Sequence, residues 1–176
     1  MTRRTLFGAL ILLSVFPAIG ALALLTHQPL LFPSLGPTHL GQIATPSQPS
    51  ATPGNTLVGH GIDIIAAVFS LAITGANHMP DPILTGVSSW QRELASALPV
   101  MFTFFGQAIF RASHAPAAAT ALLSTLGAIH PELRAIAGLC TGVLLITVLG
   151  ESGRWVISRI AVAAPRALHE FRPNEL

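Results

Sequence analysis

Four long apolar runs constrain this chain more than any other feature of its sequence. They cover residues 6–25, 55–75, 95–110 and 133–149, and charged residues are concentrated at or near their ends. A helix needs about 20 predominantly apolar residues to cross the hydrocarbon core of a bilayer. Runs of this length and number predict an integral membrane protein whose fold is a bundle of transmembrane helices.

The charged residues are too few to cover the surface of a water-soluble domain. Only 9% of the 176 residues are charged, against about 25% in ordinary globular chains, while 51% are hydrophobic and the mean hydropathy is +0.65. The nine basic residues are all arginines and lie mostly beside apolar runs, as determinants of membrane topology do. The pI near 10.0 therefore does not indicate a nucleic-acid partner.

Two shorter stretches, 30–44 and 113–129, separate the apolar runs. The first contains Pro33, Gly36 and Pro37, and the second contains Pro116 before an alanine-rich segment. Both are predicted as re-entrant half-helices, which tolerate bent backbone where protein or a watery cavity surrounds them. The expected fold is all-α, with about four full spans plus two short or re-entrant helices in a loose internal duplication. If both stretches crossed fully, there would be six spans.

The sequence predicts a transmembrane domain over residues 1–150 and a cytoplasmic basic tail over 151–176. Arg3 and Arg4 before the first run, and the arginines after the last, place both termini in the cytoplasm under the positive-inside rule. The tail is expected to form an amphipathic helix on the inner leaflet. The first run is interpreted as a retained span, with a cleaved signal peptide as the alternative.

The stretch 113–120 has the residues of a helix start. Ser113 can cap the helix, and Pro116 suits the first turn because proline lacks an N–H group. Free N–H groups and the positive end of the helix dipole at such a start favour an anion, with His114 as an additional donor. The alternative interpretation is a capped helix start in an ordinary loop.

His60 and Asp63 lie three residues apart in the second run, so they share one helix face. An aspartate within an apolar span is unfavourable unless it is paired or faces a cavity. The spacing therefore predicts a proton-linked pair, with two hydrated residues near the lipid headgroups as the alternative. No nucleotide-binding loop, nucleophile elbow or paired histidine spacing is present, so neither a cofactor nor a metal is expected.

Three stretches resemble the HPP family of integral membrane proteins, which is named for a His-Pro-Pro motif. Residues 113–122 are similar to the family signature, 55–60 to its Asn-x-x-x-Gly-His opening of a span, and 32–38 to its early glycine-and-serine segment. Ala115 replaces the first proline of the motif and Ala118 stands where glycine is usual. The resemblance covers about residues 6–149.

The resemblance implies a transporter or channel for a small anion such as nitrite, because some plastid and cyanobacterial relatives are associated with nitrite transport. It also implies a bacterial inner-membrane location and a substrate site. The implied site comprises Ser113, His114, Pro116, Thr120, Asn55, Gly59, His60, Gly36 and Thr38, with Asp63 and His60 for proton coupling.

Two other classes of function are open. The chain could be a non-transporting membrane scaffold or assembly protein, in which the GxxxG pair of Gly138 and Gly142 packs against a partner helix. An intramembrane enzyme would need a catalytic constellation, and the sequence offers none clearly, so the chain is not expected to be an enzyme. The lipid bilayer is the predicted surrounding, and a homo-oligomer is compatible with so small a bundle.

Overall fold

The computed structural model describes the backbone of residues 3–130 and 132–163, and this part of the chain is helical without strands. Three helices in it are long and apolar enough to cross a bilayer: Thr5–Thr26, Pro53–Thr74 and Leu133–Arg159. The predicted run 95–110 lies in a fourth long helix, which is less apolar because it also includes Arg92 and Glu93. The α-helices of the described residues are α1 (Arg3–Thr26), α2 (Leu35–Ala44), α3 (Pro53–Thr74), α4 (Pro82–Thr85), α5 (Trp90–Ile109), α6 (Ala118–Thr125) and α7 (Leu133–Ala163).

α7 crosses the boundary that the sequence predicted at residue 150. The helix runs without interruption from Leu133 to Ala163, so the first part of the expected tail continues the last long helix. The sequence between 150 and 163 has no proline, and its glycines, Gly150 and Gly153, lie closely against Gln42 and Ile43 rather than ending the helix. The remainder of the expected tail, 164–176, lies outside the described residues.

The segment 28–44 runs along α7 rather than turning back. A Cβ atom added to Gly138 would lie 3.0 Å from Pro29, and one added to Gly153 would lie 2.8 Å from Ile43. These two glycines are 15 residues apart, which corresponds to about 22 Å of helix rise. The segment, extended at first and then helical as α2, therefore follows most of the length of a membrane helix.

The segment 112–125 runs along α5 in the same manner. His114 is bonded to Gln107 near the end of α5, and the carbonyl of Thr125 accepts a bond from Arg92 near the start of α5. Gln107 and Arg92 are again 15 residues apart, or about 22 Å along the helix. The two predicted half-helices are thus each the second part of a segment that extends through the bundle.

The packing of the helices has an internal two-fold pattern. Exchanging α1 with α5, α2 with α6 and α3 with α7 maps the packed pair α1–α7 onto α5–α3. The same exchange maps α2–α7 onto α6–α3 and α1–α2 onto α5–α6, and it leaves α3–α7 unchanged. The one-turn helix α4 lies between the halves, and each half crosses the bundle three times. Because three is an odd number, the second half runs in the opposite direction. The expected duplication is therefore an inverted repeat.

The ends of α1 and α5 carry the same local motif. His27 and Arg111 both have a positive φ, of 53° and 52°. Beyond them, Gln28 donates its N–H to the carbonyl of Ala23 (3.2 Å), and Ala112 donates to that of Gln107 (2.9 Å). This is the Schellman arrangement, which satisfies carbonyls at a helix C-terminus and releases the chain into an extended direction.

The apolar core lies between α1, α3, α7 and the segment 28–44. The glycine pair of α7 is used here, because a Cβ atom on Gly142 would collide with the carbonyl oxygen of Leu30. The predicted close approach of the GxxxG pair is therefore internal to the chain. The buried residues of this core are Val15, Ile19, Leu30, Phe32, Leu35, Ile64, Leu139, Val143 and Ile146.

Candidate functional site

A cluster of polar side chains lies where the two short helices begin, and we call it the central cluster. Its members are almost completely inaccessible, with exposed fractions of 0% or 1%, although the helices around them are apolar. Polar groups removed from water in this way must find partners among themselves or with the backbone. The central cluster consists of Ser34 and Thr38 from the start of α2, His60 from α3, His114 from the loop before α6, and Thr120 from α6.

Four hydrogen bonds or close polar contacts of the central cluster join the first half of the molecule to the second. Ser34 Oγ lies 2.6 Å from Thr120 Oγ1, and His60 Nδ1 lies 3.0 Å from the same oxygen. Thr38 Oγ1 lies 3.1 Å from His114 Nε2, and the two histidine Nε2 atoms are 3.3 Å apart. The cluster therefore connects the two halves at the level where both short helices start.

The backbone around the cluster fixes the proton on one histidine. Nδ1 of His114 lies 2.7 Å from the carbonyl oxygen of Ser50, which can only accept, so Nδ1 carries the proton. In a neutral ring, Nε2 of His114 is then an acceptor. The hydroxyl of Thr38 donates to the carbonyl oxygen of Ser34 at 2.9 Å. Nε2 of His60 is therefore the group that donates a hydrogen bond to Nε2 of His114.

These assignments give a single direction to the whole chain of bonds. With Nε2 of His60 protonated, its Nδ1 accepts from the hydroxyl of Thr120, and Thr120 in turn accepts from the hydroxyl of Ser34. Each hydroxyl and each ring thus donates once along the chain, from Ser34 through Thr120 and His60 to His114. The chain ends at the carbonyl of Ser50, which accepts from Nδ1 of His114 and keeps this direction fixed.

Two neighbours position His114. The side-chain amide of Gln107 donates to the carbonyl of His114 at 3.0 Å and accepts from its N–H at 2.8 Å, so it pairs with both backbone polar groups of that residue. Gly59 of α3 provides the space, because a Cβ atom there would lie 2.6 Å from the Cβ of His114. Gly59 therefore acts through close packing.

Two backbone N–H groups at the starts of the short helices are already hydrogen-bonded, whereas the expected anion site requires free ones. The N–H of Gly36 bonds to the carbonyl of Pro33 (3.2 Å), and the N–H of Ala117 bonds to that of His114 (3.1 Å). Local turns thus occupy N–H groups that the sequence analysis expected to face an anion. The contacts between the two short-helix starts are made by side chains instead of backbone N–H groups.

Asp63 lies apart from the central cluster. Its Oδ1 accepts a hydrogen bond from the hydroxyl of Thr103 on α5, and its Oδ2 is buried and has no partner among the described residues. His60 bonds to the short helices instead, so the two residues share a helix but are not hydrogen-bonded to each other within the described part of the chain. Asp63 is the eleventh of the 22 residues of α3, near the middle of that span.

The remaining predicted site residues lie outside the central cluster. Ser113 is exposed on the outer side of its loop. Asn55 donates its side-chain amide to the carbonyl of Pro49 at 2.7 Å, while Thr52 caps α3. Pro116 is the middle residue of the 3-10 turn Ala115–Ala117. Among the described residues, no atom lies within 4 Å of a Cβ atom built on Gly36. Of the predicted residues, Thr38, His60, His114 and Thr120 are brought together.

Sequence reasoning missed four contributors to the site. Ser34 and Thr103 are isolated hydroxyls in apolar surroundings, Gln107 is a lone amide in an apolar run, and Ser50 contributes only its carbonyl. The half-buried amide of Gln107 carried a signal, since an uncharged polar residue inside a membrane helix usually has a partner. No group of three metal-ligating side chains occurs in the part of the chain that the structure describes.

The fold and the buried cluster define an integral membrane protein made of two inverted halves of helices. The family described as HPP, transmembrane region, matches residues 2–161, which is nearly the whole chain. The chain therefore belongs to the HPP family of membrane proteins. No curated protein and no solved structure matches it.

Proposed function

We propose that this protein transports a small anion of the nitrite type across the membrane, with the central cluster as the substrate site. The observation that carries the proposal is the convergence of two broken segments, one from each inverted half, on five buried polar side chains. Many secondary transporters bind substrates near the bilayer midplane, between inverted repeats and at discontinuous helices. The resemblance to family members associated with nitrite transport suggests the class of substrate.

The central cluster has the groups needed to hold a small anion. Its hydroxyls and imidazole N–H groups are donors, and a proton taken up by His60 or His114 would add a positive charge. In the closed arrangement these groups satisfy one another at distances of 2.6–3.3 Å, which leaves no room for a solute. The halves therefore have to separate at the cluster before an anion binds, with its oxygens replacing the bonds between the halves.

The proposed topology has six passes with both ends in the cytoplasm. The passes are α1, the segment 28–44, α3, α5, the segment 112–125 and α7. Trp90 and Trp155 are exposed at opposite ends of the bundle, as expected for residues at the two lipid interfaces. The end of the bundle that holds both described termini has Arg3, Arg4, Arg111, Arg154 and Arg159, whereas the other end has Arg92 and Arg134. This arginine bias favours a cytoplasmic assignment for that end, in a bacterial inner membrane.

We also propose that protons are bound at two separate places. The histidines of the central cluster are one, and the carboxyl of Asp63 is the other, since its unpartnered Oδ2 is buried in the middle of α3. A buried carboxyl in a span is a common device for moving protons in transporters. Asp63→Asn is expected to abolish accumulation driven by a pH gradient while leaving exchange of anion for anion intact.

Flux measurements in proteoliposomes test the transport proposal. Purified protein should move nitrite faster than empty liposomes do, and Thr38→Val should reduce the rate by about tenfold or more, corresponding to about 1.4 kcal/mol. Thr147→Val is the matched control, because Thr147 is also buried and donates to the carbonyl four residues before it, at 2.7 Å. Equal rates for protein and empty liposomes, or for the two variants, would contradict the proposal.

A scaffold function is less well supported by the packing. Gly138 and Gly142 were the residues expected to meet a partner helix, and both are covered by the segment 28–44 of the same chain. The proposal accordingly assigns transport rather than assembly or catalysis.

A further inference from the structure

A second cavity lies outside the central cluster, at the end of α5. It has a volume of about 380 Å³ and opens to the exterior at the end of the bundle that holds both described termini. A guanidinium, a hydroxyl and a side-chain amide stand among apolar walls, a composition that suits small oxyanions. We call this cavity the vestibule, and its lining residues are Phe104, Gln107, Ala108, Arg111, Ala112 and Ser113.

The backbone of the vestibule shows that the arginine is retained in an unfavourable conformation. Arg111 occupies the left-handed position of the Schellman motif, with φ of 52°, where glycine is the residue best suited by far. The motif itself needs only the N–H groups of residues 110–112, which any non-proline residue supplies. Local structure alone therefore does not account for an arginine at this position, which points to a role for its side chain.

The positive charge of Arg111 is not neutralised within the described part of the chain. The ion pairs found there join Arg92 and His130 to Asp81, and Arg154 to Glu151. The carbonyls at the end of α5 are also capped, because the N–H groups of Phe110, Arg111 and Ala112 bond to residues 106–108. An anion in the vestibule would thus meet a free guanidinium and few exposed carbonyls.

One side chain separates the vestibule from the central cluster. Gln107 lines the vestibule, and its amide is paired with the peptide of His114, whose ring belongs to the cluster. Release of this pairing would free the backbone of His114 at the boundary between the vestibule and the cluster. The vestibule therefore adjoins the proposed substrate site through the side chain of Gln107.

We propose that the vestibule is an outer binding site for a small monovalent oxyanion, held by Arg111 and Ser113, and that Gln107 separates it from the central cluster. The inference rests on the proposed transport function for its physiological meaning. The same oxyanion chemistry is offered by the phosphate of an anionic lipid headgroup, so a test has to separate free anions from lipid.

Equilibrium binding of nitrite to the purified full-length protein tests the site without requiring transport. In lipid-free detergent, Arg111→Gln and Arg111→Gly should each weaken nitrite binding by about tenfold or more, the scale expected for one charge-assisted contact, and Arg111→Lys should restore part of it. Arg111→Gly also removes the strained conformation, so it should unfold at the same temperature as the wild type or higher. Arg159→Gln, an exposed arginine at the same end of the bundle, should bind nitrite like the wild type.

The outcomes separate this inference from the transport proposal. Unchanged nitrite affinity in the Arg111 variants overturns the vestibule site, whatever the flux assay shows. Weakened affinity together with absent flux supports the site and rejects transport. If nitrite does not bind in detergent, and added phosphatidylglycerol but not phosphatidylcholine binds to the wild type and not to Arg111→Gln, a lipid headgroup is the occupant and the proposal is overturned.

Discussion

The two segments that extend through the bundle have the same course but are held in different ways. The segment 28–44 is embedded in the apolar core, where Leu30, Phe32 and Leu35 are buried. The segment 112–125 is attached to α5 by polar bonds at its two ends, through Gln107 and Arg92. Both segments are packed in the interior, but the first buries large apolar side chains, whereas the second buries alanines and has polar bonds at its two ends.

For the proposed transport cycle, this difference predicts which half moves. Displacing the first segment would open voids throughout a close-packed interior, and each void forfeits many dispersion contacts. Displacing the second segment would uncover smaller side chains, because its buried apolar residues are Ala112, Ala117 and Ala121. Its polar bonds could exchange partners with water or a polar solute. We therefore expect the second segment to open and the first to serve as the frame.

The largest effect is expected at the attachment of the second segment near the start of α5. Arg92 is 3% exposed, pairs with Asp81, and donates to the carbonyls of Met79, Pro80 and Thr125. Arg92→Met leaves a carboxylate and three carbonyls without their donor, so the free energy of unfolding should fall by about 3–5 kcal/mol. Thermal unfolding in detergent measures this loss.

Arg159→Met is the control for that experiment, because Arg159 is exposed and stacks on Trp155. Its effect on stability should stay within about 0.5 kcal/mol, as for most surface substitutions. If the two variants unfolded at the same temperature, the polar attachment would not hold the second segment and the comparison would fail.

A smaller effect is expected where each segment touches a helix closely. Gly142→Ala would bring a Cβ atom against the backbone carbonyl of Leu30, and Gly59→Ala would bring one to 2.6 Å from His114. Each should cost about 1–3 kcal/mol of stability by overpacking. Gly142→Ala should be the worse, since the packed first segment cannot shift as the His114 loop can.

Gly61→Ala provides the matched control, because no atom lies within 4 Å of a Cβ atom built there. It should leave stability unchanged or raise it by up to about 1 kcal/mol, the difference in helix propensity. Equal losses for Gly59→Ala and Gly142→Ala would show that both segments are equally rigid.

The smallest effect on stability is expected at the other attachment of the second segment. Gln107→Leu removes the two bonds to the peptide of His114 and should cost about 1–2 kcal/mol. Amide hydrogen exchange should accelerate at His114 while that of Leu35, in the first segment, stays unchanged. Acceleration of both amides together would mean that the segments open as one unit.

Much of the helical content followed from the sequence. The three helices that can cross a bilayer correspond to the predicted runs 6–25, 55–75 and 133–149. These runs could be predicted because the length of an apolar run is a local property of the sequence. The starts of the two short helices were also predicted, since proline and small polar residues mark such starts. The end of α7 was placed too early because an amphipathic continuation of a helix has no local breaker.

The candidate site could be predicted only in part. Thr38, His60, His114 and Thr120 were selected from their family resemblance and are in contact in the structure. Ser113 and Asn55 were selected on the same grounds and face other surroundings, because neighbouring positions on a turn or helix point in different directions. The partner of Asp63 is 40 residues away on another helix, and no local pattern identifies it.

The sequence by itself determined that this chain dissolves in lipid, that its spans are helices and that polar residues gather at two interrupted segments. Hydropathy and turn chemistry depend on a few neighbouring residues, so the amino-acid sequence alone is enough to identify them. Only the tertiary structure decided that the halves are inverted and that the two interruptions meet. Contacts between residues 34 and 120, or 38 and 114, depend on how helices pack across the whole bundle.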